Sequence, residues 1–154
     1  NHDLFVNEFV QRVKDCYVQD WHSVICESSK LEFYKTVQLT YEPAPYVKLL
    51  WNKKLISAIA KIRCCGHNLN IERARYHNGQ SNLCNVCNEI ENEEHFVGKC
   101  ILYEDLRRKY FNVSILNHNH MYRMMTTTNE QVIVKFALFV KNALLIRNVS
   151  LSES

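Results

Sequence analysis

Cys84, Cys87, His95 and Cys100 follow one another in the stretch CNVCNEIENEEHFVGKC, with the spacing C-x2-C-x7-H-x4-C. Two cysteines three positions apart can both face one metal ion from a tight turn, and H-x4-C returns a second pair of ligands from the far side. Three thiolates and one imidazole fill the tetrahedral shell of zinc and leave no position for water or substrate, so the spacing predicts a structural Zn2+. A site that is absent from the unfolded chain turns its metal affinity into folding free energy. For a lone C-x2-C pair, four unrelated buried residues would be the simpler reading. The His and Cys that follow in register decide for zinc.

A second group of residues suits phosphate. Between positions 46 and 78 the chain carries Lys48, Lys53, Lys54, Lys61, Arg63, Arg73 and Arg75 against the single acid Glu72, while segments 1–45 and 79–100 are each net acidic. The total charge is only +3, so the segregation carries the signal rather than the sum. Clustered cations release counterions from a nucleic-acid backbone and gain affinity without sequence choice. His67, Tyr76 and His77 add groups that can hydrogen-bond or stack on unpaired bases just before the metal loop. The expected nucleic-acid face is therefore Lys53, Lys54, Lys61, Arg63, His67, Arg73, Arg75, Tyr76 and His77, and Arg107-Arg108-Lys109 could extend it. A merely solvated basic face is the competing reading. The acidic run Glu89, Glu91, Glu93 and Glu94 reads as a solvated loop, and Cys64 or Cys65 as core at a helix end.

Helices must position these groups, because three glycines and two prolines leave little room for the repeated turns of an all-β fold. From Asp3, apolar residues recur at Leu4, Phe5, Phe9, Val13, Cys16, Tyr17, Trp21, Val24 and Ile25 as one stripe of a 3.6-residue repeat. A short helix through Leu31–Val37 ends before Pro43 and Pro45. Helical spacing resumes from Val47 through Trp51 to Ile62, with Gly66 as its expected cap, and a further helix runs from about Leu69 through Tyr76. After the metal loop come helical pieces at Glu93–Cys100 and Tyr103–Phe111, a polar loop at 113–120, and a last long helix from Asn129 to about Arg147. The first and last stripes are expected to pack on each other and on the Trp51 helix. The result is a single all-α domain over 1–154 with a zinc-pinned insert at 79–111.

The stretch Ala60–Phe111 resembles the zinc-knuckle (CCHC) region near the C-terminus of non-LTR (LINE-type) retrotransposon reverse transcriptases. The positions that carry the resemblance are Arg63, His67, Cys84, Cys87, Glu94-His95-Phe96, Cys100, Tyr103 and Leu106-Arg107, about a third of the chain. Ile101 stands where that family often has proline and Ala74 where it often has glycine; neither is a ligand. The resemblance implies a zinc-dependent module that binds RNA or DNA, either part of a larger protein or separate from it. It does not bring the polymerase, whose paired metal-binding aspartates have no counterpart among Asp3, Asp15, Asp20 and Asp105. Nor does the tail, with Glu104, Asp105, Glu130 and Glu153, form a nuclease pattern. The expectation is binding without catalysis. The rival is a protein-interaction module built on the aromatic-rich first and last helices.

Cys16, Cys26, Cys64 and Cys65, the cysteines outside the motif, show no disulfide framework, which predicts a reducing, intracellular setting, nuclear or cytoplasmic. No signal-peptide pattern opens the sequence. Lys135, Lys141 and Asn142 interrupt the longest apolar run, so no membrane partner is expected.

Overall fold

The computed structural model describes residues 2–152; Asn1, Glu153 and Ser154 of the expected 1–154 domain lie outside the described residues. The architecture is all-α. Helix α1 spans His2–Glu27, α2 Glu32–Val37, α3 Pro45–Leu49, α4 Lys53–Arg63, α5 Asn70–Tyr76, α6 Glu104–Phe111, α7 His118–Thr126 and α8 Glu130–Ser152. The only β pairing among the described residues is an antiparallel bridge between Leu83 and Ile90.

Helix α8 is the axis of the fold and packs on α3, α4, α6 and α7. Its inner stripe is Ile133, Phe136, Ala137, Phe139, Val140 and Ala143, which meets Leu55, Ala58, Ile59 and Ile62 of α4. Each large side chain buried here contributes about 1.5–3 kcal/mol. The segment expected as an insert shares this core, because Phe96, Val97 and Tyr103 belong to the same buried cluster. Phe96 and Tyr103 meet edge to face at 4.7 Å.

Asparagine sets several boundaries. The Asn52 side chain accepts from Lys54 N at 3.0 Å and starts α4, and that of Asn117 accepts from His120 N at 2.9 Å and starts α7. The helix expected to run unbroken from Val47 to Ile62 is therefore two helices, with an extended turn at Leu50–Asn52 that buries Leu50 and leaves Trp51 94 % exposed. Helix α7 carries Met121 and Met125 into the core from a region read in part as polar loop. The cap of α4 also differs. Cys65, not Gly66, takes the left-handed conformation (φ 51), and Gly66 N bonds back to Lys61 O at 2.8 Å.

The largest departure is α1. Of its apolar stripe only Ile25 is buried, while Leu4, Phe5, Phe9, Val13, Tyr17 and Val24 are exposed and Trp21 is half-buried, edge-on to Tyr41 at 5.6 Å. The helix meets the body at its C-terminal end, next to the 3-10 turn Ser29–Leu31. Periodicity reports an apolar face; it does not report that the partner for that face lies in the same chain.

Candidate metal centre and basic groove

The C-x2-C pair sits on a short hairpin. Cys84 N donates to Glu89 O at 2.7 Å, Asn88 N to Cys84 O at 2.9 Å, and Glu91 N to Asn82 O at 2.9 Å. Asn88 closes the turn in the left-handed region (φ 58), which asparagine tolerates better than most residues. The other pair rides on a π-helical turn, His95–Lys99. In an ordinary α-helix residues five apart point about 140° away from each other. The i→i+5 bond from Cys100 N to His95 O, 2.8 Å, widens the turn so that both side chains face the hairpin.

The four ligand atoms lie within 4.8 Å of one another. Cys84 Sγ and Cys87 Sγ are 3.8 and 3.7 Å from Cys100 Sγ. Zinc–sulfur bonds of about 2.3 Å in a tetrahedron put their sulfurs about 3.8 Å apart. His95 offers the matching nitrogen: Nε2 is buried without a hydrogen-bond partner among the described residues, and Nδ1 is 3.1 Å from Glu89 Oε2. A carboxylate on one ring nitrogen orients the other towards a metal. The residues thus fit zinc in donor type, number and spacing. Burial, reinforced by the neighbouring cysteines and only partly offset by the backbone amide of Leu102, holds the Cys100 thiol well above its usual range, so ionisation there needs a cation.

Two neighbours suit a charged centre, a role the sequence did not suggest for either. Three thiolates on Zn2+ leave one net negative charge, and the Arg107 guanidinium, only 1 % exposed, is close enough to Cys100 and Cys87 for their charges to act on it. Its Nη2 donates to Cys100 O at 2.6 Å and its Nε to Ser114 O at 2.5 Å, while Nη1 is buried and unpartnered among the described residues. Tyr103 Oη is likewise buried without a partner. Arg107 therefore does not extend a basic surface. Arg108 pairs with Glu104 at 2.5 Å, and Lys109 lies 5.4 Å from the Tyr110 ring centroid.

The acidic run is not a solvated loop either. Glu91 and Glu93 are buried. Glu91 accepts from Asn70 N and from Arg147 Nη2, both at 2.7 Å, which ties the loop to α5 and α8. Glu93 Oε1 is 2.9 Å from His67 Nε2. Burial alone would raise the Glu93 carboxyl, but hydrogen bonding and charge from His67 outweigh it and hold the group below its usual range. Glu89 is exposed and Glu94 half-buried, so the run divides between two buried and two more accessible carboxylates.

The expected nucleic-acid face divides. Arg63 is 1 % exposed and donates to Met125 O (2.7 Å), Val37 O (2.9 Å) and Gln38 Oε1 (2.6 Å), joining α2, α4 and α7. The His67 side chain is fully buried against Glu93. Both are removed from any surface that meets phosphate. Arg75 Nη1 donates to Ser29 O at 2.8 Å, Arg73 is half-buried, and Tyr76 and His77 are exposed at the end of α5, with Lys30 Nζ 5.9 Å from the Tyr76 ring centroid.

Lys53, Lys54 and Lys61 do come together. They line one groove between α4 and α8, whose floor includes Ala58, Leu144 and Leu145, with no acid among the lining residues. The fourth cation there is Lys141, whose signal in the sequence is a lysine interrupting an apolar helix. Among the described residues no helix is long and apolar enough to cross a membrane. Compared with family models, curated proteins and solved structures, the chain matches none.

Proposed function

We propose that this chain is a non-catalytic nucleic-acid-binding module in which a structural zinc at Cys84, Cys87, His95 and Cys100 fixes the loop, and lysines of α4 and α8 meet the phosphate backbone. The observation that carries the reading is the groove with Lys53, Lys54, Lys61 and Lys141 on its walls and no acid beside them. Cations from helices some 80 positions apart in sequence converge where α4 packs on α8, so the cluster belongs to the fold rather than to one solvated helix face. Asn68, just before α5, donates to Asn148 on the groove rim at 3.3 Å, which ties the start of α5 to the groove. Tyr76 and His77, exposed at the far end of α5, favour unpaired strands, since a duplex offers no free base face. The resemblance of Ala60–Phe111 to the zinc-knuckle region of non-LTR retrotransposon reverse transcriptases supports the same reading.

The test is binding of labelled single-stranded RNA and duplex DNA across a salt series. Four phosphate contacts give a log–log slope of about −3 on single strands and nearer −4 on duplex. Absence of salt-dependent binding at low ionic strength refutes the proposal.

One observation favours a second reading, a protein-interaction module. Helix α1 presents Leu4, Phe5, Phe9 and Tyr17 to solvent, an apolar surface larger than scattered exposed residues usually make. In that reading Phe5→Ser with Phe9→Ser abolishes partner capture and leaves nucleic-acid binding untouched.

A further inference from the structure

A second set of ligating side chains converges beside the first and is not used by it. Cys65, His67 and Glu93 each bring one donor atom within 4.8 Å of the other two. The carboxylate of Glu93 accepts from both neighbours, from His67 Nε2 at 2.9 Å and from the Cys65 thiol. Cys65 and Glu93 are buried, and the His67 side chain has no exposed surface. The three residues come from the α4–α5 turn and the metal loop.

One further observation beside this cluster bears on a cation. Glu72 of α5 is 4 % exposed, and its Oε2 is buried with no hydrogen-bond partner among the described residues; the other oxygen, Oε1, has Arg75 Nε at 3.5 Å. Its charge acts on Cys65, although Glu72 lies outside the set of donor atoms within 4.8 Å of one another. A buried carboxylate oxygen without a donor is costly, and positive charge at the neighbouring cluster would lessen that cost.

We propose that Cys65, His67 and Glu93 form a second divalent-metal site, with solvent completing its shell. One thiolate, one imidazole and one carboxylate make a mixed donor set suited to zinc rather than to calcium or magnesium, which take oxygen ligands. On binding, Cys65 gives its thiol proton to solvent. The imidazole proton now directed at Glu93 moves from Nε2 to Nδ1, which ends the long 3.3 Å bond that Nδ1 accepts from Leu69 N. Glu93 lies two residues before His95, so the second ion would pin the start of the stretch whose end the first ion holds.

The two sites differ in sulfur count, and this separates them experimentally. The whole chain, stripped of metal under reducing conditions, is titrated with cobalt(II), and zinc content after reconstitution is measured by elemental analysis. Two equivalents are expected, one with the strong sulfur-to-cobalt charge transfer of three thiolates and one with about a third of that intensity. Glu93→Gln and His67→Gln should each bring the content to one equivalent and keep the three-thiolate spectrum, whereas Cys84→Ser should weaken that spectrum and leave the single-thiolate signal. The Leu69 amide resonance should move with the second equivalent only. A single equivalent in the wild type, unchanged in Glu93→Gln, overturns the second site while leaving the first intact. Should the variants fail to fold, the wild-type titration decides alone: one phase ending at one equivalent refutes the proposal.

Discussion

Arg147 Nε lies 2.7 Å from Glu91 Oε1 across 56 residues of sequence, and both side chains are buried. Arg147 Nη2 also reaches Asn70 Oδ1 at 2.9 Å, and Asn70 Nδ2 donates to Leu83 O at 2.6 Å, so α8, α5 and the metal hairpin share one polar knot. Removing one partner of a buried pair leaves an uncompensated charge. Glu91→Leu or Arg147→Met alone should destabilise the zinc-loaded protein by about 3–5 kcal/mol, and the pair Glu91→Leu with Arg147→Met by clearly less than the sum. Denaturant midpoints of the three variants check this; full additivity would mean the two residues act separately.

Gly98 approaches Leu116 so closely that a Cβ would run into the Leu116 carbonyl oxygen. Their backbones are also joined, Leu116 N to Gly98 O at 2.9 Å. Neither side is a flexible side chain able to move away. Gly98→Ala should therefore cost about 1–3 kcal/mol and, because Gly98 lies inside the π turn, weaken zinc binding as well. Thermal melts with and without zinc read both effects.

Zinc binding should strengthen with pH. Burial holds the Cys100 thiol protonated well above its usual range, so the metal must displace that proton, and lower pH opposes it. With three thiol ligands, apparent affinity should rise by up to about three log units per pH unit below the range where the thiols ionise. Arg107→Met removes the cation beside this centre and should weaken zinc about 10–100-fold, shifting the same curve to higher pH. Competition against a chromophoric chelator at several pH values measures both. Because Phe96, Val97 and Tyr103 sit in the common core, chelation should lower amide protection along α8 and not in residues 79–111 alone.

Exposure makes the opposite forecast for two aromatic residues that sequence periodicity assigns to the interior. Phe9→Ser and Trp51→Ser should change stability by no more than about 0.5 kcal/mol, since both side chains face solvent. A loss of several kcal/mol in dilute solution would mean that α1 and the Leu50–Asn52 turn are packed.

The Cys84, Cys87, His95 and Cys100 cluster was legible because residue types and short gaps are most of what a Cys3His shell requires. Arg63 and Lys61 show where that legibility ends. They are two positions apart and identical in charge, yet α4 turns one into three backbone and side-chain acceptors and the other towards solvent. Charge counted along the chain cannot make that distinction. Lys141 joined Lys61 only through the packing of α4 on α8, a long-range fact. Helix α7 was hidden because its cap, Asn117, stands inside a polar run that also reads as loop, and its core contacts are two methionines. Glu91 and Glu93 looked solvated because their partners, Arg147 and His67, lie 56 and 26 positions away.

Lys141 gives the most direct test of the groove as a phosphate-binding surface. Binding of single-stranded RNA and duplex DNA is measured across a salt series for the wild type, Lys61→Ala, Lys141→Ala and the double variant. Each single change should weaken binding to all sequences alike and flatten the salt slope by up to about one unit, and the double variant by about two. Wild-type binding that is unaffected by Lys141→Ala, or that shows no salt dependence, would contradict the account.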